Sequence, residues 1–130
     1  MKKILTLALT AGVAAALTSA DKGPQTMTKE KGTYIVNTTN IANDVIGYEG
    51  PTPLKVYIKK NKIEKVEFLP NQETPKYWNA VKKHFQEVWN GKTVKEAKTM
   101  QVDGRTGATF SSDAVKENVK RALDYYEKNK

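Results

Sequence analysis

A short polar stretch in the last third of the chain concentrates residue types that could hold an anion. It reads Asp103-Gly104-Arg105-Thr106-Gly107-Ala108-Thr109 and is followed by Phe110-Ser111-Ser112. The hydroxyl groups can donate hydrogen bonds, and the glycines and the alanine leave the backbone open to close approach. A helix that starts just after the stretch would add free N–H groups and a favourable dipole. The stretch therefore predicts a place where an anionic ligand binds.

The composition excludes several other kinds of chemistry. The chain has no cysteine, so it has no disulfide, iron–sulfur cluster, thiolate nucleophile or cysteine-type zinc site. His84 is the only histidine, which argues against a histidine-rich metal site or a Ser-His-Asp triad. We expect His84 to be a partly buried packing residue. If the protein carries out redox chemistry, an organic cofactor has to supply it.

The first 20 residues have the layout of a secretory signal peptide. Lys2 and Lys3 precede an apolar run from Ile4 to Leu17, and Thr18-Ser19-Ala20 offers small residues for cleavage. The run is shorter than the roughly 20 residues of a membrane-spanning helix; an uncleaved anchor is the alternative. We expect an exported protein that is periplasmic, extracellular or on the outer face of the cytoplasmic membrane. Its predicted parts are a signal peptide over residues 1–20, a flexible leader over 21–31 and one domain over 32–130.

The basic charge does not indicate a nucleic-acid partner. Lys2 and Lys3 are the only charged residues among the first 20, so residues 21–130 carry 20 of the 22 basic and all 14 acidic residues, a net charge of +6. The lysines are interleaved with glutamates, and the only arginines are Arg105 and Arg121. A solvated lysine surface fits this pattern better than a basic helix or arm.

Residue patterns predict an antiparallel sheet. The predicted strands and turns are, in order, Gly32 to Asn37, a short strand or turn from Asn43 to Glu49, the bend Gly47 to Pro51, Leu54 to Lys59, the turn Lys60 to Lys62, and Ile63 to Leu69. Ile63 is out of phase with Val66 and Phe68, which predicts a bulge or an early turn residue there.

Two main helices should pack with this sheet. Thr74 can cap the first, with Pro75 as its first residue, and an apolar stripe runs to about Trp89 before Asn90-Gly91 ends it. Thr93 to Glu96 has the spacing of a capping box before a short helical turn. Ser111, Ser112 and Asp113 should cap the last helix, whose apolar stripe is Ala114, Val115, Val119, Ala122, Leu123 and Tyr126. The predicted fold class is α+β, a small antiparallel sheet packed with two main helices in a single domain.

The polar stretch resembles the flavinylation motif of the FMN-binding domain family: Asp, two variable residues, Ser or Thr, Gly, Ala, then Thr or Ser. Every fixed position is met between Asp103 and Thr109. The likeness extends from Gly32 to Leu123. Its further matching stretches are Gly47 to Leu54, Asn61-Lys62-Ile63, Glu73-Thr74-Pro75, and Ser111 to Val115. The family includes the covalent-FMN subunits of sodium-pumping NADH:quinone reductase and of ion-pumping ferredoxin-linked complexes, and small stand-alone exported domains, which this chain is similar to in size.

The resemblance implies that FMN is joined through its phosphate to the hydroxyl of Thr109 as a phosphoester. It also implies a partner, an exported flavin transferase that uses FAD as the FMN donor. Asp103 could orient the loop or help to bind the metal of the transferase, and both roles stay open. The other residues expected around the phosphate are Thr106, Gly107, Ala108, Ser111 and Ser112.

The isoalloxazine ring needs an apolar or aromatic wall, and hydrogen-bond donors near its nitrogens and carbonyls. The candidates are Tyr48, Lys55, Glu73, Thr74, Pro75, Tyr77, Trp78 and Phe110. The resemblance favours the bend from Gly47 to Pro51 and the segment from Glu73 to Pro75. Core packing is the preferred interpretation for Trp78, because it begins the helical stripe. Phe110 fits either the core or the ring.

The resulting hypothesis is an exported electron carrier with covalent FMN that has no substrate chemistry of its own. It would relay electrons between redox partner proteins, with a membrane reductase complex as one such partner. The alternative is an exported module that binds FMN or another small ligand without a covalent bond. A secreted structural or interaction domain without a cofactor is a further hypothesis.

Overall fold

The computed structural model describes residues 25–130. Within them, a four-stranded antiparallel sheet has its strands in chain order and is joined by three helices, which confirms the predicted α+β class. The elements are β1 (Met27–Glu30), β2 (Thr33–Asn37), β3 (Leu54–Lys59), β4 (Lys62–Phe68), α1 (Pro75–Phe85), α2 (Val94–Thr99) and α3 (Thr109–Asn129). The predicted signal peptide and the start of the predicted leader lie outside the described residues.

The hairpin of β3 and β4 is confirmed. Leu54, Val56 and Ile58 are fully buried, and the residues between them are partly exposed, as the alternation predicts. Lys60 and Asn61 turn the chain with φ of 53° and 63°. Both central residues of a two-residue type I′ turn need such left-handed angles, and asparagine tolerates them well.

The irregularity predicted near Ile63 is a β-bulge. Tyr57 pairs with Lys65, whereas the next residue, Ile58, pairs with Ile63, so Glu64 has no partner of its own. The extra residue changes the phase of β4, and Ile63 therefore lies on the buried face of the sheet with 1% of its surface exposed.

The flexible leader predicted for residues 21–31 contains regular structure in its last part. Met27–Glu30 forms β1, an edge strand that pairs antiparallel with β2. Lys31 and Gly32 turn the chain with φ of 51° and 85°. Backbone hydrogen bonds to β2 hold this strand in place, and neither of its side-chain faces is strongly buried. Its sequence therefore shows little of the apolar alternation from which strands are predicted.

The core lies between one face of the sheet and the helices. The stripe predicted for α3 is buried along its whole length, at Ala114, Val115, Val119, Ala122, Leu123 and Tyr126. From Val115 onward, the stripe belongs to the same apolar cluster as the buried side chains of β2, β3 and β4. Each fully buried aliphatic side chain contributes about 1.5–3 kcal/mol relative to an exposed one. None of the helices in residues 25–130 is both long enough and apolar enough to span a membrane.

Helix α1 ends at Phe85, four residues before the predicted end near Trp89. Beyond it, tighter i to i−3 hydrogen bonds replace the α-helical ones, as between the Val88 N–H and the Phe85 carbonyl at 3.2 Å. This tighter turn still buries Trp89, whose ring stacks on Phe85 with 5.7 Å between centroids. Gly91 then reverses the chain with φ of 81°, as predicted.

The capping box predicted before the short helix is confirmed. The Thr93 hydroxyl accepts a hydrogen bond from the Glu96 N–H, and the Glu96 carboxylate accepts one from the Thr93 N–H. These bonds satisfy two backbone donors at the start of α2.

A buried polar network joins α3 to both ends of the segment that connects β2 to β3. Asn118 accepts a hydrogen bond from the Thr38 hydroxyl at 2.5 Å and donates to the Ala114 carbonyl at 2.8 Å and to Thr52 at 3.4 Å. Asn118, Thr38 and Thr52 are all fully buried. One turn further along α3, Arg121 pairs with Asp44, and its hydrogen bonds hold the pKa of the Asp44 carboxyl below its usual value.

We predict that Asn118→Ala destabilises the fold by about 2–3 kcal/mol, because it leaves buried threonine hydroxyls without their amide partner. Urea unfolding measures the change. The matched control is Lys120→Ala on the exposed face of the same helix, which should change stability by less than about 0.5 kcal/mol. Equal effects of the two substitutions would contradict the importance of the network.

Candidate functional site

The loop of residues 103–108, called the motif loop here, is held close to the first turns of α3. The Arg105 N–H donates to the Ser112 hydroxyl at 2.9 Å, and the Ala108 N–H donates to the Arg105 carbonyl at 3.0 Å. A Cβ at Gly104 would lie 3.1 Å from the Ser112 Cβ, so the loop can approach this closely because position 104 has no side chain. Gly107 completes the turn with φ of 84°.

Helix α3 begins earlier than the predicted cap at Ser111, Ser112 and Asp113. Its first residue is Thr109, and Ala108 occupies the cap position without a side-chain hydrogen bond. The N–H groups of the first turn have no carbonyl partner within a helix. Thr109 therefore stands at the positive end of a 21-residue helix with its side chain exposed.

His84 contacts the other end of the motif loop. Its Nε2 lies 2.9 Å from the Asp103 carbonyl oxygen and donates a hydrogen bond to it. The expected partial burial of His84 is wrong, because the residue is exposed, but its ring does pack edge-on against Phe85, with 4.7 Å between the ring centroids. The structure thus gives His84 a positioning role at the start of the motif loop, which the sequence pattern did not indicate.

Glu73 joins the segments that surround the site. Its carboxylate is buried and accepts hydrogen bonds from the N–H groups of Tyr48 and Glu49 and from the Ser111 hydroxyl. The Glu73 N–H in turn donates to the Asn71 side chain at 2.9 Å. One side chain therefore connects the bend after residue 46, the loop before α1 and the first turn of α3.

The predicted bend is confirmed, and the structure explains its first glycine. The Gly47 N–H donates to the Gly50 carbonyl at 2.8 Å, and Ile46 pairs with Pro51 across the bend. A Cβ on Gly47 would lie 2.9 Å from Oε1 of Glu73, closer than real Cβ contacts come. Position 47 must therefore lack a side chain if Glu73 is to accept its hydrogen bonds.

A pocket of about 560 Å³ opens between these segments. This volume is within the usual range for sites that bind small molecules and cofactors. Tyr48, Tyr77 and Phe110 surround it with side chains that are 71%, 64% and 66% exposed. The full lining is Tyr48, Glu73, Thr74, Tyr77, Trp78, Gly107, Ala108, Thr109, Phe110 and Ser111.

Most of the residues predicted for the site line this one pocket. Phe110 lines the pocket and is exposed, so it does not pack in the core. Trp78 has the predicted core role, with 7% exposure and an edge-on contact to Phe68 at 5.7 Å, and it also forms part of the pocket wall. Thr74 precedes α1 in the predicted extended conformation, but its side chain makes no capping hydrogen bond.

The structure places five predicted site residues outside the pocket lining. They are Lys55, Pro75, Asp103, Thr106 and Ser112. Lys55 lies on β3 opposite Asn37 and Glu67, on a partly exposed part of the sheet. Pro75 lines a second, smaller pocket with Asn71. Asp103, Thr106 and Ser112 belong to the motif loop or to its hydrogen-bonded support and not to the pocket wall.

The pocket suits an aromatic ring that bears an anionic tail. Exposed aromatic side chains can stack on a planar ring, and the start of α3 can receive a phosphate. The lining contains one acidic residue, Glu73, and no basic residue. In residues 25–130, no group of histidine or acidic side chains is arranged to hold a metal ion.

The fold and this pocket define a small cofactor-binding domain, and comparison with known families identifies its class. A sequence model of the FMN-binding domain matches residues 47–124, from the bend to the middle of α3. The chain belongs to the FMN-binding domain family, and this membership supports FMN as its ligand. No curated protein and no solved structure matches the chain.

We predict that Gly47→Ala destabilises the fold by about 1–3 kcal/mol, because the added methyl group displaces the Glu73 carboxylate. Amide exchange at Tyr48 and Glu49 should accelerate, and the urea midpoint should fall. The matched control is Gly50→Ala, where the nearest atom would be Gln72 Cβ at an ordinary 3.8 Å. Similar effects at the two glycines would show that the contact with Glu73 is not the cause.

Proposed function

We propose that this FMN-binding domain carries its cofactor on Thr109 through a phosphoester and acts as an exported electron carrier. The observation that supports the attachment is the position of Thr109. Its side chain is exposed at the first residue of α3 and lines the pocket. Its hydroxyl can therefore receive a phosphate beside the free N–H groups of the helix, while the ring extends along the aromatic wall.

The charge of the pocket favours a covalent bond over simple binding. A phosphate monoester such as the tail of free FMN carries between one and two negative charges near neutral pH, and sites that hold it reversibly commonly use lysine or arginine. The pocket lining offers neither. Arg105 is the basic residue of the motif loop, and it is exposed. A diester on Thr109 keeps a single negative charge, which the start of α3 can accommodate.

The proposed attachment is a transfer reaction without net oxidation or reduction. The Thr109 oxygen forms a bond to the phosphorus of the FMN half of FAD, the bond between the two phosphates breaks, and AMP leaves. The hydroxyl proton is released to a base of the flavin transferase. The motif loop that the transferase has to reach is exposed from Asp103 to Gly107, and Asp103 is free to orient the loop or to contact the metal of the enzyme.

The proposed carrier function depends on access to the ring. Bound FMN supplies one- and two-electron transfer. Tyr48, Tyr77 and Phe110 surround the pocket and are largely exposed, so a redox partner protein can approach the edge of the ring without opening the fold. A membrane reductase complex is one such partner. Export is supported by the signal-like pattern of residues 1–20.

Intact mass after co-expression with a flavin transferase tests the attachment. We predict a mass gain equal to FMN minus water, on a peptide that contains Thr109. Thr109→Val should abolish the gain, and Thr109→Ser should retain it because the hydroxyl remains. Thr99→Val, which removes an exposed hydroxyl outside the motif and the pocket lining, is the matched control and should still gain the mass.

Two outcomes would overturn the proposal. A yellow protein whose colour is removed by denaturation, without a mass gain, would support the module that binds FMN reversibly. A colourless protein of unchanged mass in the presence of an active transferase would exclude attachment at Thr109.

A further inference from the structure

A second surface of the domain, at the end of the sheet away from the pocket, is rich in lysine. The turns between β1 and β2 and between β3 and β4 lie at the same end of the antiparallel sheet, because the strands follow one another in chain order. We call this surface the lysine end. Its six exposed lysines are Lys31, Lys59, Lys60, Lys62, Lys92 and Lys130.

Specific contacts hold these lysines together. A Cβ on Gly32 would lie 3.9 Å from Cε of Lys59, so the two turns are adjacent. The segment with Lys92 is joined to β4 by a hydrogen bond from the Ile63 N–H to the Lys92 carbonyl at 2.8 Å. The C-terminal Lys130 reaches the second turn, where its Nζ donates to the Asn61 side chain at 3.2 Å.

The lysine end carries an excess of positive charge. None of its six lysines forms an ion pair with another residue between 25 and 130. Three carboxylates lie nearby. Glu30 precedes the first turn, Glu64 lies beside the second, and Glu96 is close to Lys62 and Lys92. The six lysines outnumber these carboxylates, which leaves the surface with an excess of positive charge.

The lysine end and the pocket are at opposite ends of α3. The helix begins at Thr109 in the pocket, and near its other end the Tyr126 hydroxyl donates to Asn61 in the β3–β4 turn. A 21-residue helix is about 30 Å long at 1.5 Å per residue. Anything bound at the lysine end would therefore leave the pocket uncovered.

We propose that the lysine end binds an anionic lipid surface and orients the pocket away from it. The two turns and Lys130 place separate point charges together at one end of the domain, which suits a plane of anionic headgroups, and membranes attract basic surfaces of this kind. This inference does not depend on how FMN is attached.

The residue types of the lysine end argue against two other occupants. It contains no arginine, the residue preferred for bidentate phosphate and base recognition. The large exposed aromatic side chains, which single-stranded nucleic acid would need for stacking, are Tyr48, Tyr77 and Phe110, and all three lie at the pocket. A redox partner protein has to approach the pocket and not a surface about 30 Å away.

Cosedimentation with lipid vesicles tests the proposal on the full chain. We expect binding to vesicles of phosphatidylcholine with about one third phosphatidylglycerol at low salt, and loss of binding at high salt as the Debye length shortens. Vesicles of phosphatidylcholine alone measure any contribution of the apolar N-terminal segment. The triple variant Lys59→Gln, Lys60→Gln and Lys62→Gln should bind the anionic vesicles about a hundredfold more weakly, because each lysine near the surface contributes about fivefold to the affinity.

The matched control replaces three exposed lysines outside the lysine end, Lys76, Lys83 and Lys120, by glutamine. It removes the same charge and should weaken binding only a few-fold; thermal unfolding should show that both variants fold. If both variants lost the same amount of vesicle binding, overall net charge would explain the effect and the proposal would be overturned. It is also overturned if the chain binds neutral and anionic vesicles equally, or if it binds duplex DNA through the same three lysines but not anionic vesicles.

Discussion

The pocket depends on the hydrogen bonding of one buried carboxylate. Glu73 is 7% exposed, and its oxygens accept hydrogen bonds from two backbone N–H groups of the bend and from the hydroxyl of Ser111. A carboxylate removed from water is strongly unfavourable unless such donors replace the lost hydration. The three donors must therefore be in place whenever the native fold forms. They belong to segments 24 to 38 residues away in the chain, so a single group fixes the bend and α3 relative to the loop before α1.

This constraint separates the rigid parts of the site from the parts that remain accessible. The backbone of Tyr48 is held by the hydrogen bond of its N–H to Glu73, and the hydroxyl of Ser111, next to Phe110 in α3, donates to the same carboxylate. The segments that carry these two pocket aromatics are therefore in place before a ligand arrives, which lowers the entropy lost on binding. Thr109 is not engaged by this carboxylate and stays exposed. The geometry thus combines a pocket on a fixed backbone with an exposed hydroxyl at the start of α3.

Sequence patterns predicted the features that depend on local chemistry. Alternating side chains marked the hairpin, the left-handed turn residues closed it, and the Asp103-to-Thr109 pattern located one wall of the pocket, at Gly107, Ala108 and Thr109. The predictions failed where contacts between residues far apart in the sequence determine the local structure. Ser111 and Ser112 have the residue types of a helix cap, but their hydroxyls are bonded to a carboxylate and a backbone N–H elsewhere, and α3 starts at Thr109 instead. Likewise, β1 forms through pairing with β2, and His84 turns outward to a carbonyl 19 residues away.

The positions of the lysines relative to the pocket bear on how the cofactor is held. A small basic protein would be expected to hold a phosphate with lysine, yet six exposed lysines lie together at one end of α3 and the pocket at the other end has none in its lining. Long-range attraction alone would draw a free phosphate ligand to the lysine end rather than to the pocket. Retention in the pocket then depends on the aromatic walls and the helix start, and the proposed phosphoester on Thr109 would add a covalent bond. Under that proposal the lysines stay available for a different anionic surface.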